Sequence, residues 1–146
     1  MNQMKNVYQL VKCWSYYRMI SLKEVWESYD FYTGVPDSRL KPFIKEIEDS
    51  PFKHIPSLNE GQAIGIAFGA ELVGMKSCVY LQNSGLGNCI NALTSLCIPH
   101  NIHPLLVIGH REGLPQHKVM GEVDEKMLQL IGYMDYIIVW IVEVLF

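Results

Sequence analysis

Residues 58–91 read LNEGQAIGIAFGAELVGMKSCVYLQNSGLGNCIN, and this stretch decides the fold. Asn59 is a preferred helix N-cap, and the glycine- and alanine-rich residues 60–73 that follow predict a helix. Gly74 lies where a glycine that ends this helix is expected. Residues 77–81 are a short apolar run with the character of a buried strand. The run ends in a polar, glycine-rich turn at residues 82–88. A helix, a strand and a glycine turn in this order are typical of an α/β ligand-binding domain.

Predicted strands and helices alternate along the rest of the chain. The β-prone runs centre near residues 31, 55, 79, 106 and 138, with helical patterns between them. The last of these patterns predicts a helix that begins near Asp124 and ends at about Ile131. This spacing predicts an open, mostly parallel α/β sheet with helices on both faces. Because ligands bind at the carboxyl ends of parallel strands, we expect four polar loops to meet at one edge of the sheet. These loops are residues 34–38, 59–60, 82–88 and 110–117.

The patterns are weaker toward both ends of the chain. Residues 1–20 contain many aromatic side chains and predict an irregular helix, and a capping box at residues 21–24 predicts the start of another. The apolar residues 137–146 predict a buried strand or an interface, because they are shorter than the roughly 20 residues that span a membrane. We expect neither a signal peptide nor a membrane segment.

Composition argues against several classes of function. The net charge of -3 provides no basic surface for nucleic acid. The five histidines lack the HExxH spacing of a zinc site. The four cysteines lack CxxC spacing, so we expect buried, reduced thiols in a cytoplasmic protein.

Glu60 is the sharpest candidate for chemistry, but each candidate loop also has a purely structural interpretation. An acid in the first turn of a helix can simply complement the helix dipole. Residues 82–88 could cradle an anion at a helix N-terminus or form only a tight turn, since they match neither a P-loop nor GxGxxG. Residues 36–38 could be a turn with Ser38 as N-cap. The loop around Arg111 could be solvated, although an arginine fork suits an anionic substrate.

Four short runs, taken together, carry a resemblance. They are FYTGVPDS at residues 31–38, NEG at 59–61, YLQNSGLGN at 80–88 and PQH at 115–117. They resemble the thiamine-diphosphate-dependent 2-oxoacid decarboxylases, in particular phosphonopyruvate decarboxylases and the alpha subunits of sulfopyruvate decarboxylases. The similarity covers about residues 30–132, and the QNSGLGN run is its most specific part.

The resemblance implies a pyrimidine-binding (PYR) domain over residues 30–146, preceded by a poorly matched segment at residues 1–29. Glu60 then falls at the acid that hydrogen-bonds N1′ of the cofactor's aminopyrimidine. The catalytic residues implied are Glu60, Asp37 and His117. The cofactor contacts implied are Glu60, Gln82, Asn83, Ser84 and Gly85. The substrate contacts implied are Ser38, Arg111 and Gln116, and no metal ligand is expected in this chain.

The implied activity is that of a carboxy-lyase. The substrate would be phosphonopyruvate, converted to phosphonoacetaldehyde and CO2, or sulfopyruvate. Enzymes of this family bind the diphosphate and Mg²⁺ through a second domain with a Gly-Asp-Gly motif, which this sequence lacks. We therefore expect an oligomer that needs a diphosphate-binding domain or beta subunit, and a chain that is inactive alone.

Several alternatives stay open beside that activity. The chain could be a separate alpha-type subunit or the N-terminal part of a single-chain decarboxylase. It could also be a non-catalytic remnant or an assembly subunit that keeps the fold. From another class, it could be an unrelated flavodoxin-like nucleotide binder.

Overall fold

The computed structural model describes residues 8–13, 16–21, 25 and 27–140. These residues build a seven-stranded sheet in the order β2-β1-β7-β6-β5-β3-β4. The strands are β1 (Tyr8–Cys13), β2 (Tyr16–Ser21), β3 (Phe31–Gly34), β4 (Lys53–Pro56), β5 (Ser77–Gln82), β6 (Leu105–Gly109) and β7 (Tyr136–Trp140). Strands β3 to β7 are mutually parallel. Strand β1 pairs antiparallel with β7, and β2 pairs antiparallel with β1. The predicted mostly parallel α/β sheet is confirmed.

Four α-helices connect the parallel strands. They are α1 (Lys41–Glu48), α2 (Glu60–Leu72), α3 (Leu86–Ala92) and α4 (Pro115–Ile131). A π-helical turn at Leu93–Cys97 and a 3₁₀ turn at Ile98–His100 extend α3. In the described part of the chain, no helix is long and apolar enough to cross a membrane.

Strand β5, the central one of the five parallel strands, contributes to a core on each face of the sheet. Val79 and Leu81 lie in the core covered by α2, α3 and α4, whereas Cys78 and Tyr80 lie in the core covered by α1. Successive side chains of a strand point to opposite faces, so a strand buried on both faces needs an uninterrupted apolar run. The apolar run at residues 77–81 therefore gave the right prediction of helices on both faces.

Both ends of α2 follow the prediction. The side chain of Asn59 caps the helix by accepting hydrogen bonds from the backbone N–H groups of Gly61 (2.8 Å) and Gln62 (3.4 Å). Gly74 follows the helix with φ +84°, a left-handed conformation that favours glycine. A Cβ atom on Gly61 would lie 2.8 Å from the backbone oxygen of Asn88. The glycine therefore lets the start of α2 approach α3 closely.

Four predictions about helices were wrong or fall outside the described residues. The predicted helix at residues 1–20 is contradicted by β1 and β2, while the capping box at residues 21–24 lies mostly outside them. The predicted helix start near Asp124 is wrong, because α4 begins at Pro115. The predicted cap at Ser38 is also wrong, since the side chain of Asp37 accepts the hydrogen bond from Arg39 N.

The thiol prediction can be checked at three of the four cysteines. Cys78, Cys89 and Cys97 are free and buried, as predicted. Burial raises the pKa of Cys89 to about 12 and that of Cys97 to about 11. These thiols are therefore protonated and unreactive in the folded chain. The side chain of Cys13 lies outside the described part of the structure.

Candidate active site

The predicted loops lie side by side at the carboxyl edge of the parallel sheet. Strand β5 pairs with β3 on one side, and with β6 on the other, where Gln82 stands opposite Gly109. Strand β4 lies beyond β3. The segments that follow these four strands therefore meet at one edge of the sheet. The candidate residues of the sequence analysis all lie in these segments or at the ends of the strands themselves.

The Glu60 carboxylate is fixed by two neighbours from the glycine turn. Its Oε2 accepts a hydrogen bond of 2.8 Å from Asn88 Nδ2, while Oε1 makes no hydrogen bond within the described residues. A Cβ atom on Gly85 would lie only 2.2 Å from Oε1 and 2.4 Å from Cδ. The carboxylate thus rests against the Gly85 backbone, with Oε2 held by Asn88 and Oε1 available to bind a ligand. Asn88 ends the QNSGLGN run, but it is absent from the predicted site residues.

The three polar residues at the end of β5 do not all point the same way. Gln82 Nε2 donates a hydrogen bond to Ser84 Oγ, and the Ser84 side chain is exposed. Asn83 is fully buried. Its Oδ1 is a buried acceptor that has no hydrogen bond among the described residues, a costly state unless a bound group or water satisfies it. The predicted cofactor contacts of these residues stay predictions.

Asp37, Ser38 and Arg111 form a single cluster, although 74 positions separate Asp37 from Arg111 in the sequence. Asp37 Oδ1 accepts from Arg111 Nε at 3.1 Å and from Nη2 at 2.5 Å, and Nη2 also contacts Ser38 Oγ at 2.6 Å. Gly109 makes room for the buried Asp37, because a Cβ there would lie 2.5 Å from Asp37 Oδ2. Arg111 Nη1 makes no hydrogen bond within the described residues, which leaves a donor for an anion.

Gln116 and His117 lie in the first turn of α4, away from these contacts. Gln116 is exposed, and His117 is partly buried. The His117 Nδ1 atom is buried without a hydrogen bond among the described residues. Within that part of the chain no hydrogen bond joins either residue to Glu60 or to the Asp37 cluster. Their predicted roles in proton transfer and substrate contact stay predictions.

A buried histidine–aspartate pair was not among the predicted site residues. His110 Nδ1 and Asp124 Oδ2 are 2.7 Å apart, and both side chains are almost fully buried. Burial on its own lowers the pKa of His110, but the hydrogen bond and charge of Asp124, with a smaller contribution from Glu112, outweigh it. The pKa of His110 is therefore raised.

This raised pKa predicts a pH dependence of stability. A histidine that binds its proton more tightly when folded contributes stability below its unfolded pKa of about 6.5, and that contribution is lost as pH rises through the folded pKa. We expect Asp124→Asn to lower the free energy of unfolding more at about pH 6 than at about pH 9. Urea denaturation of both proteins across this range measures the difference.

Taking the difference between the two proteins removes the contributions of other titrating groups. His54 acts in the opposite direction, because burial lowers its pKa beside the Tyr80 hydroxyl at 2.7 Å. Since both proteins contain His54, its effect cancels. An equal loss of stability at both pH values would show that Asp124 does not hold a charged His110.

Comparisons with known proteins agree with this arrangement. Residues 23–130 match the family described as thiamine pyrophosphate enzyme, N-terminal TPP binding domain. The chain is 42% identical over 106 residues to sulfopyruvate decarboxylase subunit alpha of Methanocaldococcus jannaschii, which covers 69% of this chain and 63% of the relative. It is 38% identical over 107 residues to the subunit of the same name in Methanococcus maripaludis, covering 70% of this chain and 64% of the relative.

A second group of relatives is longer. The chain is 41% identical over 104 residues to phosphonopyruvate decarboxylase of Streptomyces viridochromogenes, covering 66% of this chain and 26% of the relative. In all three comparisons the chain spans less than two thirds of the relative's length. The match over residues 23–130, on a parallel sheet with an acid at the start of α2, shows that the chain belongs to the thiamine pyrophosphate enzymes, as their N-terminal TPP binding domain.

Proposed function

We propose that this chain is the pyrimidine-binding half of a thiamine-diphosphate-dependent decarboxylase acting on phosphonopyruvate or sulfopyruvate. The observation that carries the proposal is the Glu60 carboxylate, anchored through one oxygen by Asn88 and against Gly85, with Oε1 left to bind. The names of the relatives, at 42% and 41% identity, support the choice of substrates. Family membership rules out an unrelated flavodoxin-like protein.

The residues at the edge fit one half of the cofactor. Thiamine diphosphate, when bound, supplies an electron sink for the loss of CO2 from a 2-oxoacid. Glu60 would hold a proton at an aminopyrimidine nitrogen through Oε1, while Asn88 fixes the other oxygen. A partner that covers this edge would strengthen such a hydrogen bond by excluding water. Asp37 and His117 remain the proposed proton-transfer groups, with Gln82, Asn83 and Ser84 as the proposed walls of the pocket.

The substrate would be held by its second anionic group. The Arg111 fork contacts Asp37 and Ser38 through Nε and Nη2, which leaves Nη1 for a phosphonate or sulfonate oxygen. A guanidinium is a strong donor to such planar or tetrahedral anions. Ser38 and Gln116 are the further proposed substrate contacts.

The proposal includes a partner that binds the diphosphate and Mg²⁺. The name "subunit alpha" of the relatives supports a separate partner subunit, and the longer phosphonopyruvate decarboxylases are consistent with a joined domain. The domain boundary at residue 30, the oligomeric state and the cytoplasmic location stay predictions.

The decisive experiment is reconstitution. The purified full chain is assayed for CO2 release from phosphonopyruvate and from sulfopyruvate with thiamine diphosphate and Mg²⁺, alone and with a diphosphate-binding beta subunit. We expect turnover of one of the two substrates, and we expect it only when the partner is present. Turnover by the chain alone would contradict the need for a partner. A complex that forms but turns over neither substrate would favour the assembly-subunit alternative.

Gly85→Ala tests whether turnover depends on the position of the Glu60 carboxylate against Gly85. The added methyl group would overlap Oε1, Cδ and Cγ of Glu60, all atoms of a movable side chain. We therefore expect the free energy of unfolding to change by less than about 1.5 kcal/mol. We expect turnover of the reconstituted complex to fall at least about tenfold, because the carboxylate is displaced.

Gly87→Ala is the matched control in the same turn. A Cβ on Gly87 has no atom within 4 Å among the described residues, so this variant should keep both the fold and the position of Glu60. Urea denaturation and the reconstituted assay are applied to both variants. Full activity of Gly85→Ala would mean that turnover does not depend on the observed position of the Glu60 carboxylate against Gly85.

A further inference from the structure

A buried polar network lies beneath the candidate site, and two of its members, His110 and Asp124, have no role in the function proposed above. It begins at Asp124 on α4, whose Oδ2 lies 2.7 Å from His110 Nδ1 and accepts from Asn83 Nδ2 at 3.2 Å. Asp124 and His110 are 3% exposed, and Asn83 is 0% exposed. Buried polar groups of this kind hold a defined geometry because breaking one hydrogen bond leaves its partner unsatisfied.

The network reaches the backbone of Arg111. Asn83 Nδ2 also donates to the Arg111 carbonyl oxygen at 2.9 Å, so one amide group joins α4 to the loop after β6. Gly121, on the same helix, packs against this loop as well. A Cβ there would lie 2.8 Å from the Arg111 oxygen and 2.7 Å from Glu112 Cβ. The position of the Arg111 backbone is therefore set largely by α4.

The side chain and the backbone of Arg111 contact different parts of the domain. The Arg111 side chain points to Asp37 and Ser38, whereas its carbonyl group and the preceding His110 point to Asn83 and Asp124. A guanidinium at the end of a flexible side chain loses conformational freedom when it is held in one place. When the Arg111 backbone is already fixed, the side chain has fewer conformations to lose, so ligand binding costs less conformational entropy.

We propose that Asp124 is a positioning residue, which holds the Arg111 guanidinium in place for the anionic substrate through Asn83 and His110. This inference rests on the proposed role of Arg111 in substrate binding. Within the described residues, the charged groups that face His110 include Asp124 from α4 and Glu112 from its own loop at 3.5 Å. Asp124 touches neither Glu60 nor the Arg111 guanidinium in any hydrogen bond of the described residues, so it acts through its neighbours.

The first test measures the Arg111 side chain in the isolated full chain. Nitrogen-15 NMR reports the exchange of the Arg111 Nε proton with water, which the hydrogen bond to Asp37 protects. We expect exchange to become about tenfold faster in Asp124→Asn, because the backbone that carries the guanidinium is released. Glu122→Gln, an exposed acid on the same helix, is the matched control and should leave the exchange rate unchanged.

A second variant covers the case in which Asp124→Asn does not fold. Asn83→Ala removes the link to the Arg111 carbonyl but leaves the Asp124–His110 pair in place, and it should accelerate the same exchange. Exchange that stays at the wild-type rate in a folded Asp124→Asn or Asn83→Ala protein would overturn the positioning role.

The second test uses the reconstituted complex. There Asp124→Asn should raise KM for the anionic 2-oxoacid about tenfold and change kcat by less than about threefold, as expected for a lost binding contact. A fall in kcat at unchanged KM would overturn the positioning role. The exchange measurement does not depend on turnover. A complex without activity would therefore overturn the proposed function, whereas the exchange rate alone would decide whether Asp124 positions Arg111.

Discussion

Glu60→Gln should reduce turnover of the reconstituted complex by about 10²–10⁴-fold, the range typical of a lost general acid–base group. The amide keeps the shape of the side chain, and its oxygen can still accept the hydrogen bond from Asn88 Nδ2. It cannot exchange a proton at the Oε1 position, which is the capacity that the proposal requires. The fold should remain intact because Glu60 is only partly buried at the first position of α2.

The contrasting variants separate catalysis from helix capping. Glu46→Gln changes an exposed acid on α1 and should leave turnover unchanged. The helix-dipole interpretation of Glu60 predicts a loss of only about 0.3–1 kcal/mol in stability and full activity. Measuring turnover together with the free energy of unfolding therefore decides between the two. Equal activity of Glu60→Gln and wild type would assign Glu60 to the helix start alone.

Gly34→Ala should destabilise the domain by about 3 kcal/mol or more, enough to prevent folding of a marginally stable domain. Gly34 has φ +154°, and a Cβ there would lie 2.0 Å from the backbone oxygen of Tyr80. That oxygen belongs to the central strand β5 and accepts a hydrogen bond from Val35 N at 3.1 Å. Unlike the Glu60 side chain opposite Gly85, a backbone atom of a paired strand cannot move aside.

Gly69→Ala is the matched control for stability. Gly69 lies on the exposed side of α2, and its added Cβ would have no atom within 4 Å among the described residues. Alanine should therefore stabilise the isolated chain by about 0.5–1 kcal/mol through its higher helix propensity. Thermal unfolding followed by circular dichroism measures both variants. A Gly34→Ala protein as stable as wild type would show that the close approach of β3 to Tyr80 is absent.

Local sequence patterns were sufficient for the parallel part of the sheet. The apolar run of β5, the cap at Asn59 and the glycine at Gly74 each depend on neighbours within a few positions. Such signals are therefore visible in the sequence alone. The convergence of the loops followed from topology, because parallel strands place their carboxyl ends at one edge.

The errors lie where a decisive partner is far away or a polar helix resembles a loop. Strand β1 pairs with β7 through Leu10 and Trp140, a contact between opposite ends of the sequence that no local window can show. The first turns of α4 are polar and exposed, a pattern that is typical of a loop. Pro115, a common first residue of helices, was the available signal for the true start.

The same helix error hid part of the site. A helix that starts near Asp124 gives no reason to expect this residue as a buried partner of His110. In the observed α4 it lies more than two turns inside the helix, on the buried side. The contact of Asp37 with Arg111 is a different case, because residues 74 positions apart meet only through the order of strands in the sheet.

The three buried thiols give the folded chain a built-in chemical label. Because Cys78, Cys89 and Cys97 are buried and their pKa values are raised, an alkylating reagent can modify them only when the structure opens. Cys78 lies in the core beneath α1, and Cys89 and Cys97 lie in the core beneath α2 and α3. Peptide-resolved alkylation rates would thus report the opening of each face separately, even within a complex where a partner's unfolding obscures spectroscopic signals.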